Sequence, residues 1–188
     1  MAIVNGYLTV EEAASYIGTA AGADPSFVDA CVTAASRQID NYCGRRFYAE
    51  GTDDDPADRL FDTTGTATID IDDVASIASV KSDDGSGTWA TTHTSYEAVS
   101  PQRGWPVNRL RLLDGTFPAA TATTTTQLVK VTGVWGWEDI PAEVPAACRL
   151  LTAELVKLRD APLGVTGGDF GAPMYVRRNL PGQVVSLL

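Results

Sequence analysis

Between Asp24 and Gly44 the apolar side chains Phe27, Cys31, Ala34, Ala35, Ile39 and Tyr42 recur every three or four positions. That period places them on one stripe of an α-helix. Asp24 stands where an N-cap is needed, Pro25 at the first helical position, and Gly44 just past the end, so the spacing predicts a helix over 25–43. The pattern then changes. Residues 50–58 are acidic and polar, a loop, and residues 59–136 are rich in Thr, Val, Ile and Trp with recurring turn signals. Segments 59–61, 68–71, 77–81, 96–99, 110–113 and 127–137 read as strands, with 83–87 a hairpin loop and the Ala/Thr run 119–126 an exposed one. The helical period returns over 141–159, where Val144, Ala147, Cys148, Leu151, Leu155 and Leu158 form a stripe and Pro145 falls in the first turn, where it is tolerated.

At the N-terminus, Thr9-Val10-Glu11-Glu12 has the form of a capping box and opens a helix over 9–18, with Val10, Ala13, Ala14 and Ile17 on one face. The expected fold is therefore α+β. Two N-terminal helices and a long C-terminal helix make a small helical bundle, a β-rich region over 59–137 is inserted between them, and residues 1–162 form one domain. Residues 163–188 read as a flexible, extended arm. It begins with Gly164, Gly167, Gly168 and Gly171 and ends with Val184, Val185, Leu187 and Leu188, an apolar end suited to docking on a neighbour.

A net charge of −10 argues against a general nucleic-acid binder, which needs Lys and Arg to neutralise phosphates. Cys31, Cys43 and Cys148 form no CxxC pair. Cys31 and Cys43 on one helix lie about 18 Å apart, too far for a disulfide, so all three are expected reduced, in an intracellular setting. No basic-then-apolar leader is expected at the N-terminus, and no apolar run approaches a membrane span.

No catalytic constellation emerges. His93, the only histidine, reads as a surface residue. Asp53, Asp54, Asp55 and Asp58 lack the spacing of a Ca²⁺ loop, and Asp70, Asp72 and Asp73 fall at an expected strand end, where acids cap turns. Asp169-Phe170-Gly171 spells a kinase tripeptide without the rest of that signature, and no P-loop is present. Neither a metal nor a cofactor is expected. Trp135 and Trp137, two apart, should face one side of their strand, toward a core or a subunit interface, with the core favoured. Arg45, Arg46, Phe47 and Tyr48 follow the helix end at once. The arginines suit both the helix C-terminal dipole and acids on a partner. Arg177 and Arg178 in the arm suit a salt bridge more than a phosphate contact.

The stretch 7–13, the helix end and following cluster over 39–48, Ile77-Ala78-Ser79-Val80-Lys81, and Val131-Thr132-Gly133-Val134-Trp135-Gly136-Trp137 leading to Ile140-Pro141 and a helix with Cys148 and Leu151 together resemble the head-to-tail connector (adaptor) proteins of long-tailed bacteriophages. The likeness runs to about Asp160. It implies a non-enzymatic virion protein at the neck, assembled in the host cytoplasm. Such a protein forms a ring beneath the portal, expected to be twelve-fold, which extends the DNA channel and offers a platform to neck and tail-completion proteins. Its partners would be the portal protein, neighbouring copies and a tail-completion protein. DNA would pass without sequence-specific contact, and no membrane is involved. The candidate interface is Arg45, Arg46, Phe47, Tyr48, Arg177, Arg178, Val184, Val185, Leu187 and Leu188. A tail-completion or neck protein is the alternative, and a small metal-dependent enzyme built on Asp70, Asp72 and Asp73 a more distant one.

Overall fold

The structure, a computed structural model, describes residues 5–18, 24–121, 127–160, 165–167, 173–175, 184 and 187. The described residues are mixed α/β, with three helices and a six-stranded antiparallel sheet, and the chain divides into two compact units. One comprises Met1–Phe47 and Ile140–Leu188; the other is Tyr48–Asp139.

In the first unit, helix α1 spans Val10–Ile17. The Thr9 hydroxyl accepts the Glu12 N–H at 3.2 Å and the Glu12 carboxylate accepts the Thr9 N–H at 2.9 Å, so two otherwise orphaned donors are satisfied. Helix α2 spans Pro25–Cys43, with Asp24 Oδ1 accepting the Ser26 N–H and Gly44 ending it in the left-handed conformation. Its buried side differs from the expected stripe. Val28 and Val32 are buried, while Ala34 and Tyr42 face outward. The buried side also contains Ser36 and Asp40, two polar residues that an apolar count passes over.

These polar residues are satisfied by the segment before α1. The Tyr7 N–H donates to Ser36 Oγ at 3.1 Å, and the Tyr7 hydroxyl donates to Asp40 and accepts the Phe47 N–H at 3.0 Å. Arg37 Nε lies 3.0 Å from the other Asp40 oxygen. Burial, then the bond to Asp40, push the Tyr7 phenol well above its ordinary pKa. Tyr7→Phe strips a donor from a buried carboxylate and strands the Phe47 N–H, so it should cost about 2–3 kcal/mol. A urea midpoint equal to that of the wild type would refute the role given to this hydroxyl.

Helix α3 spans Glu143–Asp160 and buries Val144, Ala147, Cys148, Leu151, Thr152 and Val156. Cys148 Sγ lies 3.6 Å from Ser36 Oγ, and the Arg159 guanidinium sits 4.9 Å from the centre of the Phe27 ring. All three cysteines are free. No helix among the described residues is long and apolar enough to cross a membrane.

The second unit is β-rich. Strands β1 (Ala57–Asp62), β2 (Thr68–Ser82), β3 (Thr91–His93), β4 (Tyr96–Val99), β5 (Val107–Leu112) and β6 (Gln127–Trp135) form one antiparallel sheet in the order β1-β6-β2-β5-β4, with β3 also on β2. The sequence predicts two strands where β2 is one of fifteen residues. Asp72 and Asp73 do not end it. Its register shifts between Asp70 and Val74, again between Val74 and Ser76, and again between Ile77 and Ser79, so one bent strand serves β5 with its first half and β6 with its second. Alternation sends Ile69 and Ile71 inward and Thr68, Asp70 and Asp72 outward. The core joins Ile69, Ile71, Val74 and Val80 of β2, Leu110 and Leu112 of β5, Phe117, and Val129, Val131 and Trp135 of β6.

In the last part of the first unit, β7 (Val165–Gly167) and β8 (Pro173–Tyr175) pair antiparallel.

Candidate assembly surface

The segment after α2 has two different characters. The Arg45 N–H closes the helix end by donating to the Asp40 carbonyl at 3.2 Å. Arg45 is half-buried and Arg46 exposed, with no ion pair to Arg46 among the described residues. Phe47 is only 6% exposed and meets the Tyr7 ring edge-on, centroids 6.1 Å apart. Its ring therefore lies inside the first unit, and the arginines are what the segment presents to solvent. Tyr48, half-buried, begins the second unit.

Near the C-terminus, Val184 is fully buried and Leu187 half-buried, the Leu187 N–H donating to the Val184 carbonyl at 3.1 Å. Arg177, Arg178, Val185 and Leu188 lie outside the described residues.

Asp70, Asp72 and Asp73 do not converge. Asp70 Oδ1 accepts from Arg109 at 2.6 Å; Asp72 accepts from Arg59 at 2.6 Å; Asp73 is buried and accepts the Trp137 indole N–H at 3.1 Å. Arg59 also pairs with Glu50 and lies 4.7 Å from the centre of the Trp135 ring. The Thr132 hydroxyl at 2.6 Å, and then Lys130, hold the Asp58 carboxyl below the usual carboxylate range. Among the described residues no group of three His, Cys, Asp or Glu is placed to hold a metal. His93 is in β3, half-buried, with Nε2 2.8 Å from Ser82 Oγ and its ring edge-on to Phe117. Burial pushes its pKa below the ordinary value.

Trp135 and Trp137 are both buried but part company. The strand ends at Trp135, and Gly136 turns the chain at φ 94°, so the two-residue alternation does not reach Trp137. Trp135 enters the core, and Trp137 packs against Trp105, centroids 5.4 Å apart.

Charge divides unevenly. Tyr48–Asp139 holds 15 Asp and Glu against 6 Lys and Arg, a formal charge of −9 in a chain of net −10. The β4–β5 turn at its rim carries Arg103 and Trp105, both exposed. Sequence reasoning passed over this turn; the signal was the run Pro101-Gln102-Arg103-Gly104-Trp105-Pro106, an aromatic and a cation held between prolines.

No protein-family model and no curated protein matches the chain. Chains of similar fold occur in solved structures, including the following two. One is the neck of an empty GTA particle computed with C6 symmetry, with a TM-score of 0.62 at 18% identity, covering 100% of this chain and 90% of that one. The other is the virion of the native gene transfer agent (GTA) particle, with a TM-score of 0.59 at 21% identity, covering 97% of this chain and 96% of that one. At these identities the likeness is one of fold.

Proposed function

We propose that this chain is a structural subunit of a virion neck, and specifically a head-to-tail adaptor that forms a ring beneath the portal. The observation that carries the reading is the end-to-end likeness of fold to chains from a GTA neck and a GTA virion, spanning nearly the whole of each chain. Two structural features agree with it. Asp70, Asp72 and Asp73 are paired with arginines or hydrogen-bonded one by one instead of converging on a reaction centre. The β-rich unit also carries −9 of the chain's net charge of −10, which suits a channel wall along which DNA must slide and not adhere. Ring closure then uses two unlike surfaces of each subunit, and the number of copies follows the portal, with twelve expected.

In this reading the chain acts as a non-enzymatic adaptor, its partners being the portal, adjacent copies and a tail-completion protein. Particles produced without it should package DNA yet fail to join tails, and electron microscopy of such particles is the test. Normal tailing in its absence would overturn the proposal. Cryo-electron microscopy of the intact neck distinguishes an adaptor touching the portal from a neck protein one layer below.

Arg45 and Arg46 are proposed as part of a contact in that assembly. Changing both to Glu leaves the backbone bond from Arg45 to Asp40 intact but puts anions at the helix C-terminus, so the variant should fold with a circular-dichroism melt lowered by only a few degrees. It should enter particles at least about tenfold less well, as expected when charges in a complementary interface are reversed. Normal incorporation would remove these two residues from the interface.

A further inference from the structure

We propose that the β4–β5 turn, through Arg103 and Trp105, docks onto the acidic loop formed by Asp53, Asp54 and Asp55 of a second copy of this chain. The inference rests on the neck reading above and names one of its contacts.

The turn is built to hold its two side chains out. The Trp105 N–H donates to the Gln102 carbonyl at 3.0 Å, and Gly104 takes φ 82°, so the backbone is fixed. One side of the Trp105 ring rests on Trp137, whose indole N–H is bonded to the buried Asp73 carboxylate. Trp105 nevertheless remains 38% exposed. An exposed tryptophan propped on another ring beside an arginine is the composition that dominates interface energetics, because less side-chain entropy remains to be lost on docking.

Charge identifies the occupant. Four of the six cations in this unit, Arg59, Arg109, Arg111 and Lys130, each lie within 4 Å of a carboxylate. Lys81 acts electrostatically on Asp58. Lys81, which is half-buried, and Arg103 have no ion pair among the described residues, so Arg103 is the one exposed cation of the unit without one, although acids outnumber bases 15 to 6 around it.

The complement is in the same chain. Asp53, Asp54 and Asp55 are exposed, and none is ion-paired to a cation among the described residues; Asp53 only accepts the Ser76 hydroxyl at 3.0 Å. Their loop is also fixed in shape, by Thr52 and Asp55 exchanging backbone hydrogen bonds at 3.0 and 3.2 Å. The turn leads out of edge strand β4 and the acidic loop leads into the opposite edge strand β1. An unneutralised cation and an unneutralised acidic loop are therefore two unlike patches of one subunit, and joining them makes a heterologous contact, the kind that closes rings.

The test is complementation of particles lacking the chain, read as the yield of tailed infectious particles, with circular-dichroism melts to show that each variant folds. Arg103→Glu should lower the yield at least about tenfold, and so should the pair Asp54→Arg and Asp55→Arg. All three changes on one chain should restore tailing, because every copy then presents the reversed pair to its neighbour. Normal tailing by Arg103→Glu overturns the contact. A defect that the triple variant does not restore also overturns it, and points to an acidic surface on a different protein. Particles that tail normally with no chain present overturn the neck reading itself, and this contact with it.

Discussion

Trp135→Ala is expected to destabilise the β-rich unit by about 5 kcal/mol. Trp135 is fully buried in the core that joins β2, β5 and β6, against Phe61 at a centroid distance of 5.4 Å. Removing a buried tryptophan ring in favour of a methyl costs about 3–5 kcal/mol in lost transfer energy and residual cavity. The indole N–H also donates to the Ala57 carbonyl at 2.9 Å, and losing that bond adds about 1 kcal/mol. The guanidinium of Arg59 loses the ring beneath it as well. Since whole domains are stable by only about 5–15 kcal/mol, the loss should bring this unit close to its unfolding midpoint in water. Urea denaturation followed by circular dichroism measures it, and Trp135→Phe, which keeps an aromatic ring but not the donor, should recover more than half. A cost below about 1 kcal/mol for the alanine variant would mean that the ring is not a core member.

How far the sequence foretold this arrangement depends on whether a signal is local. The capping box at Thr9 and Glu12, the Asp24 cap and the Gly44 stop are contacts between residues two to four positions apart, and each is made as the sequence implies. The side of α2 that is buried was less legible. Its buried Ser36 and Asp40 are satisfied by Tyr7, more than 28 residues earlier, and no helical period reveals such a partner. The length of β2 was hidden for a related reason. Asp72 and Asp73 look like a strand end, but Asp72 is held outward by Arg59 and Asp73 inward by the Trp137 indole. Arg59 lies on β1 and Trp137 just past the end of β6. In the candidate surface, Arg46 is exposed as its composition implied, whereas Phe47 is drawn inside by the Tyr7 ring. The β4–β5 turn escaped notice because Arg103 becomes conspicuous only when Arg59, Arg109, Arg111 and Lys130 are each seen to have a carboxylate.

Gly136→Ala should cost about 2–5 kcal/mol, from two separable causes. The first is conformational: at φ 94° a residue with a Cβ is strained by about 1–2 kcal/mol. The second is steric. A Cβ at this position would overlap the Tyr48 carbonyl oxygen and come within 3.4 Å of the Ala49 nitrogen, and both are backbone atoms that no rotamer change can move. Forcing them apart adds about 1–3 kcal/mol. Gly115→Ala separates the terms. Gly115 has φ 83°, but a Cβ there meets nothing within 4 Å, so it should show the conformational cost alone. Equal losses in urea midpoint for the two variants would refute the close approach at Tyr48. A larger loss at Gly136 carries a consequence for assembly. Glu50 and Trp135 exchange backbone hydrogen bonds at 2.9 Å, and the Gly136 N–H donates to the Asp73 carbonyl at 2.7 Å, so this glycine lets the chain entering the unit lie tightly against the chain leaving it. The same few residues set the start of the loop bearing Asp53, Asp54 and Asp55. Gly136→Ala should therefore lower tailing by more than its loss of folded protein accounts for, while Gly115→Ala lowers tailing only in proportion to stability.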